Sequence, residues 1–262
     1  MQKTTKEKYA GAQTVSRAFR LVDLFDDRHP IWSLAELIKA SGLKRTTVFR
    51  LMAALEAEGI VRKLPTSNYT LGSKLIALGG RAIRANPLRA VARPFLQELT
   101  NLTTESSIVD VLLIEDGRPE SMAVEEVLGY HLLGMVQYIG SHFPAHATST
   151  GKVLLAFQSS ENLSHLDLSH LKRFTKHTIT DSARLMEELA DVRQKGYATT
   201  MNELEEGVMA IAAPIFNAHG EVVAALNTSG PRSRISPERL HSLAVPLKAA
   251  ALQISQQIGY EP

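Results

Sequence analysis

Residues 33–72 constrain the fold of this chain more than any other stretch. Ser33, followed by Glu36 three residues later, predicts a capping box that opens a short amphipathic helix. Gly42 stands where a tight turn between two helices needs a permissive backbone. Two short strands with alternating residues follow the second helix, at Ile60–Lys63 and Tyr69–Leu71. Helix, turn, helix and β-ribbon in this order predict a winged helix-turn-helix.

The second helix of this motif has the features of a recognition helix. Its inward positions are apolar, and its N-terminal turn and a half carries basic and hydroxyl side chains, the part that enters a major groove. Together with one residue before the motif and two in the wing, they form the predicted DNA contacts: Arg17, Lys44, Arg45, Thr46, Thr47, Arg50, Lys63 and Asn68. The alternative is a small helical hairpin with a solvated basic edge.

The charge distribution favours DNA binding. Residues 1–93 hold 17 Lys and Arg against 7 Asp and Glu, a net charge of +10. Residues 94–262 hold 12 against 20, a net charge of −8. A basic segment attracts phosphate and an acidic one is repelled by it. We therefore expect two domains with separate functions.

Composition excludes several classes of protein. The chain has no cysteine, which rules out disulfides, thiolate metal sites and cysteine nucleophiles, and is compatible with the cytoplasm. It contains no apolar run of about 18 residues that could span a membrane. The polar N-terminus has no signal-peptide pattern and is expected to be a disordered arm over residues 1–12. We expect a cytoplasmic protein without a membrane partner.

The remaining pattern predicts two structured domains joined by a helix. Thr14–Phe25 has helical spacing and is expected to close the core of the small domain. A helix over Leu75–Ala85 is broken by Asn86-Pro87. The expected organisation is a winged helix at 13–73, a linker helix at 74–87, and an effector-binding and oligomerisation domain at 88–262.

The larger domain is expected to be α+β, with a mostly antiparallel sheet. Its predicted strands are Ser107–Ile114, Ser121–Val127, His131–Tyr138, Met209–Phe216 and Val222–Thr228. A turn is expected over Asp116–Pro119 between the first two of them, and a hairpin turn over Asn217–Gly220 between the last two. The predicted helices are Leu88–Leu102, Thr150–Gln158, Ser182–Gly196 and Pro237–Gly259, the last kinked at Pro246.

Ordered motifs along the chain resemble the IclR family of transcriptional regulators. Beside the winged-helix segment, the matching pieces are Pro144–Ala156 (PAHATSTGKVLLA), Thr178–Ala198, Leu204–Phe216 (LEEGVMAIAAPIF) and Gly220–Ser236 (GEVVAALNTSGPRSRIS). The resemblance covers nearly the whole length. It implies a winged helix, a linker helix and a GAF-like domain that binds a small-molecule effector. It also implies dimers, often pairs of dimers, on operator DNA.

The resemblance also implies where the effector binds. Family members that bind small carboxylates present backbone amides from a loop before a helix, here His146–Lys152. Free N–H groups at a helix start favour an anion on physical grounds as well. The positions carried over are Ser149, Thr150, Gly151, Thr200, Val208, Ala210, Asn227 and Ser229.

Three of these positions, Thr200, Ala210 and Asn227, depart from the residues typical of the glyoxylate- and pyruvate-type regulators. We therefore expect a different ligand, such as a larger or aromatic carboxylate. In the alternative reading, Asn227 and Ser229 merely lie at a strand end.

Other functions are weighed against this one. Ser149–Lys152 is a literal S-x-x-K, the nucleophile motif of penicillin-recognising hydrolases, but the partner motifs S-D-N and K-T-G are absent from the sequence. We therefore expect that the protein is not an enzyme, and that the Lys152 side chain packs its stem along the helix with its ammonium group in water. Neither a metal nor a cofactor is predicted, although some family members hold a metal near the effector, which would involve His146. Two further alternatives are a larger domain that only oligomerises and a sensor with a weakened DNA contact.

Overall fold

A computed structural model of the chain describes residues 13–26, 28–115, 117–131 and 139–262. It forms two compact units, Met1–Ala85 and Asn86–Pro262. The predicted arm at residues 1–12 and nearly all of the predicted strand His131–Tyr138 lie outside the described residues. Within the described ranges, no helix combines the length and the hydropathy that a membrane span requires.

The first unit is a winged helix-turn-helix followed by a helix. Its elements are α1 Gln13–Val22, α2 Leu34–Ser41, α3 Arg45–Ala57, β1 Val61–Lys63, β2 Tyr69–Leu71 and α4 Ser73–Ala85. The two strands pair antiparallel, with Val61 opposite Leu71. The core of this unit contains the fully buried side chains of Leu21, Leu37 and Met52. Burial of these side chains is what holds the three helices together.

The start and end of α2 follow the predicted chemistry. The Ser33 hydroxyl accepts a hydrogen bond from the Glu36 amide at 3.2 Å, and the Glu36 carboxylate accepts one from the Ser33 amide at 2.8 Å. Gly42 ends the helix in the left-handed conformation, at φ 66°. The capping box and the glycine turn are confirmed. α1 ends at Val22, earlier than predicted, because the chain turns there: the Phe25 amide donates to the Val22 carbonyl at 3.1 Å.

The second unit is an α+β domain. Its elements are α5 Pro87–Thr103, β3 Ser106–Glu115, β4 Arg118–Val127, β5 His142–Pro144, a 3-10 turn Ala145–Ala147, α6 Ser149–Ala156, α7 Ser160–Ser164, α8 Ser182–Lys195, β6 Ala198–Met201, β7 Val208–Phe216, β8 Val222–Pro231, α9 Pro237–Ser242 and α10 Ala244–Gln257. The strands form one sheet in the order β5-β4-β3-β8-β7-β6, and every neighbouring pair is antiparallel. The predicted fold class is confirmed.

Helices cover both faces of this sheet. On one face α5 packs against β3 and β4, and α10 packs against β7, in a cluster that includes Leu96, Ile211 and Leu247. On the other face α6 and α8 pack in a second cluster that includes Leu154 and Leu185. Because β7 contributes alternate residues to the two clusters, its run of apolar side chains is buried on both sides. The N-terminus of α6 lies on the face of the sheet that α6 and α8 cover.

Several predicted boundaries are wrong. The predicted helix Pro237–Gly259 is two helices that meet at Leu243, and Pro246 lies in the first turn of α10, where a missing N–H costs little. Arg118 and Pro119 belong to β4 rather than to a turn. β5, β6 and α7 are absent from the predictions because three to five residues are too few to show a period.

Candidate functional site

The outward face of α3 and the wing form the candidate DNA surface of the first unit. Lys44, Arg45, Thr46 and Arg50 are exposed, and Thr47 is half-buried. Val48, Leu51 and Met52 are buried in the core, so the helix is held with its basic side outward. Lys44 provides no side-chain cap, so the amides of Arg45 and Thr46 have no acceptor within the helix, whereas the Thr47 amide donates to the Lys44 carbonyl at 2.9 Å. Such amides can bind a phosphate oxygen.

The other predicted DNA residues lie around this helix. Lys63 is exposed on β1, with its Nζ 6.0 Å from the centroid of the Tyr69 ring. Asn68 lies in the wing turn, where its carbonyl accepts from the Leu64 amide at 2.7 Å. Arg17 is exposed on α1 and donates to the Gln13 side chain at 3.2 Å.

Phe49 belongs to this surface although it is not among the predicted contacts. It lies on α3 between Arg45 and Arg50, and its side chain is 58% exposed. An apolar ring among basic side chains on a recognition helix is suited to the methyl group of a thymine, the apolar group of the major groove. The signal was available in the sequence, because Phe49 is an apolar residue outside the inward positions of α3. The exposed Arg62, next to Lys63 on β1, was missed in the same way.

A cavity of about 370 Å³ lies at the N-terminus of α6 in the second unit. Seven of the eight positions carried over from the family line it: Ser149, Thr150, Thr200, Val208, Ala210, Asn227 and Ser229. They come from β8, β7 and β6, which are neighbours in the sheet, and from α6, which packs against these strands. The remaining lining residues are Asp110, Phe143, Ala147, Thr148, Leu204 and Glu205.

Gly151, the eighth position, does not line the cavity; it seats the helix. A side-chain carbon at this glycine would lie 2.2 Å from the backbone of Ala145, so only glycine allows α6 to approach the 3-10 turn. Its amide donates to the Thr148 hydroxyl at 3.0 Å, which caps the helix. That amide is therefore already used within the protein.

The amides of Ser149 and Thr150 remain for a ligand. They are the first two N–H groups of α6, which have no acceptor within the helix. The next two amides are satisfied, because Gly151 donates to the Thr148 side chain and Lys152 to the Thr148 carbonyl. The dipole of α6 adds partial positive charge at the same place.

Three polar atoms in the cavity wall are buried without a hydrogen-bond partner. They are Oδ1 of Asp110, Oδ1 of Asn227 and Oγ of Ser229. Each of these side chains is at most 5% exposed. A buried polar group without a partner costs free energy, which a ligand supplying the missing bond would recover.

Asp110 is the main residue that the sequence analysis missed. It lies on β3, and the Thr150 hydroxyl donates to its Oδ2 at 2.5 Å. Burial raises the pKa of Asp110 to about 7; the bond from Thr150 lowers that pKa, and the negative charge of Glu126 raises it. An aspartate inside the apolar run of residues 107–114 was the available signal.

The Lys152 ammonium is not in water, and that prediction is wrong. The side chain is 1% exposed, and its Nζ pairs with Glu203 at 2.8 Å and with Glu188 at 3.1 Å. Burial raises the pKa of Glu203, and the nearby Lys152 ammonium lowers it. Two carboxylates thus engage the Lys152 head, which an S-x-x-K mechanism needs as a partner of the serine. The ion pairs instead join α6 to α8 and to the loop after β6.

His146 has a structural environment. Its Nε2 lies 3.0 Å from the Lys172 carbonyl oxygen, and its ring lies 6.1 Å from that of Phe174. Burial lowers the pKa of His146. Among the described residues, no group of three or more His, Asp or Glu side chains is placed to hold a metal ion.

Comparison with known proteins identifies the family. The IclR helix-turn-helix domain matches residues 14–65, and the C-terminal domain of bacterial IclR transcriptional regulators matches residues 80–256. The HTH-type transcriptional regulator XynR of Escherichia coli K12 is 32% identical over 250 residues, which cover 95% of this chain and 98% of the relative.

Solved structures agree with this relationship. A transcriptional regulator from Rhodococcus sp. RHA1 is 33% identical, with a TM-score of 0.77 over 94% of this chain and 98% of that one. An IclR homologue from Microbacterium hydrocarbonoxydans, complexed with 4-hydroxybenzoate, is 24% identical, with a TM-score of 0.74 over 94% and 98%. The chain belongs to the IclR family of bacterial transcriptional regulators, which are DNA-binding proteins and not enzymes.

Proposed function

We propose that this regulator binds operator DNA through α3 and the wing, and a small organic acid in the cavity beside α6. In this proposal, occupancy of the cavity changes the affinity for the operator. The observation that carries it is the convergence of two free amides and three unpartnered buried polar atoms on one cavity. An operator-binding protein acts where the chromosome is, which places it in the bacterial cytoplasm.

The N-terminus of α6 is the reason for proposing an organic acid as the ligand. The Ser149 and Thr150 amides and the helix dipole favour a carboxylate there. Apolar side chains, among them Phe143, Leu204 and Val208, line the same cavity and suit an apolar body. An aromatic carboxylate combines both features, and the complex of the Microbacterium homologue makes 4-hydroxybenzoate a useful probe.

On the DNA side, Arg45, Thr46 and Thr47 are assigned to base edges, since they lie in the first turn of α3. Lys44 and Arg50 flank them on the same helix, while Arg17, Lys63 and the wing residue Asn68 contact the backbone. We assign Phe49 to the methyl group of a thymine, which is the apolar group of the major groove.

The regulator is a homo-oligomer in this proposal, a dimer or a pair of dimers. One winged helix contacts too little DNA for tight specific binding. α4 has no buried residue, and Ile76 and Leu78 on it are 79% and 44% exposed. With the half-buried Leu75 and Ile83, they form a stripe that a second copy can cover.

Light scattering at micromolar concentration should give at least a dimer; a monomer with and without DNA would contradict the proposal.

The cavity assignment predicts the effect of filling it. Val208, the first residue of β7, is half-buried, so Val208→Trp can place an indole in the cavity. The thermal stabilisation by organic acids should then disappear while DNA binding persists. The panel is benzoate, 4-hydroxybenzoate and pyruvate, measured by thermal shift on the full chain. DNA selected from a random pool by the wild-type protein serves as the operator.

The matched control is Val223→Trp on the adjacent β8, since Val223 is partly exposed and does not line the cavity. It should keep the wild-type response to the acids. An unchanged response in Val208→Trp would place the ligand elsewhere. If no acid stabilises the wild type, the alternative that the second unit only oligomerises gains support.

The DNA assignment predicts a coupled loss at Phe49. Phe49→Ala should weaken binding to selected DNA by roughly fourfold, because that factor corresponds to the free energy of burying about one methyl group. Replacing the contacted thymine with deoxyuridine should cause a similar loss in the wild type and almost none in Phe49→Ala. Gel-shift titrations with all four pairs measure this coupling.

Lys63→Ala is the comparison variant, because a phosphate contact should behave differently. It should weaken binding to every sequence and reduce the salt slope by about one unit. Phe49→Ala should leave that slope unchanged. Additive losses from Phe49→Ala and every thymine replacement would show that Phe49 does not contact a thymine methyl.

A further inference from the structure

We infer that Asp110 is a ligand-binding residue that is protonated when the cavity is occupied. Its carboxyl O–H then donates a hydrogen bond to a carboxylate oxygen of the bound acid. The cavity then binds an organic acid and a proton together. This inference rests on the proposed function, and it adds to it a residue and a proton that the family positions do not include.

The bonding of Asp110 leaves one carboxyl oxygen for this purpose. Oδ2 accepts from the Thr150 hydroxyl, and Oδ1 is buried without a partner in the cavity wall. Thr150 also supplies one of the two free amides that favour the ligand carboxylate. A single residue therefore joins the aspartate to the proposed anion position. Protonation on Oδ1 turns an unsatisfied acceptor into a donor directed at an acceptor of the ligand.

In the part of the chain that the structure describes, no lysine, arginine or histidine lines the cavity to neutralise two negative charges. Among the described residues that form its wall, only Asp110 and Glu205 are ionisable, and both are acids. Beyond the wall, Lys152 on α6 pairs with Glu203 and Glu188 instead.

Within the described ranges, the positive charges on the other elements around Asp110 are paired elsewhere: Arg89 and Arg93 on α5, which packs against β3, each lie 2.6 Å from a Glu125 carboxylate oxygen. On β4 its partner is Ala123, and Glu126 adds negative charge nearby. On β8 its partner is Ala225. In the 3-10 turn, His146 is buried with its pKa lowered, which favours the neutral ring. A bound carboxylate beside an ionised Asp110 would thus place two like charges in a buried site, where one proton is shared instead.

Asp110 is already close to this state before an acid binds. Burial raises the pKa of Asp110 to about 7, so the residue carries a proton in much of the population near neutral pH. A ligand anion raises that pKa further, because it stabilises the protonated form. Above pH 7 the proton must come from solvent as the acid binds, and affinity then falls as pH rises.

The test is the pH dependence of binding by the full-length protein. With 4-hydroxybenzoate, benzoate or pyruvate as probe, affinity should fall about tenfold between about pH 6 and about pH 8, since the probe carboxyl is ionised throughout. Calorimetry at about pH 8, in buffers of different ionisation enthalpy, should detect uptake of close to one proton per acid bound.

Two variants locate the proton. Asp110→Asn keeps a donor on the same atoms but cannot titrate, so binding should persist with a flat pH profile and no proton uptake. Glu205→Gln removes the other ionisable group of the wall and should keep the wild-type slope. If Asp110→Asn does not fold, the proton uptake of the wild type and of Glu205→Gln still decides the question.

The outcomes separate this inference from the proposed function. If no acid of the panel binds the wild type, the organic-acid site is wrong and the inference falls with it. If an acid binds with a flat profile and no proton uptake, the site stands and the inference is overturned. Affinity that rises with pH would also overturn it, because Asp110 would then accept a hydrogen bond from the ligand.

Discussion

The close contact between Gly151 and Ala145 is the constraint on which the candidate effector site depends. It lets α6 start directly against the 3-10 turn, with no side chain between the two backbones. Thr148 caps the helix at that point, and the Lys152–Glu203 ion pair ties it to the loop after β6. These contacts hold the two free amides of α6 in place in the absence of a ligand. A preorganised site of this kind loses less entropy on binding.

The sequence predicts the fold best where local chemistry determines the structure. The Ser33–Glu36 capping box and Gly42 act within a few residues, so the turn of the winged helix could be located from them alone. The β7–β8 hairpin follows from its turn residues in the same way. The break at Leu243 could not be predicted, since nothing local marks it and Pro246, the obvious signal, is tolerated in a first turn.

The candidate site was predictable by resemblance but not in its electrostatics. Seven family positions fall on one cavity, whereas Asp110 and Lys152 owe their properties to residues distant in sequence. Thr150, 40 residues away, gives Asp110 its hydrogen bond, and Glu203, 51 residues away, gives Lys152 its partner. A long apolar stem with a charged head normally reaches water, so burial of Lys152 requires carboxylates that only the tertiary fold supplies.

In the proposed function, one chain links an organic-acid cavity to a DNA surface. Reciprocal binding measurements test this link: the affinity for selected DNA with and without saturating acid, and the affinity for the acid with and without that DNA. Linkage predicts the same factor in both measurements, roughly 5- to 150-fold, in whichever direction the acid acts. A factor of one in both, with acid and DNA each bound tightly, would contradict the account, because a ligand with equal affinity for both states shifts nothing.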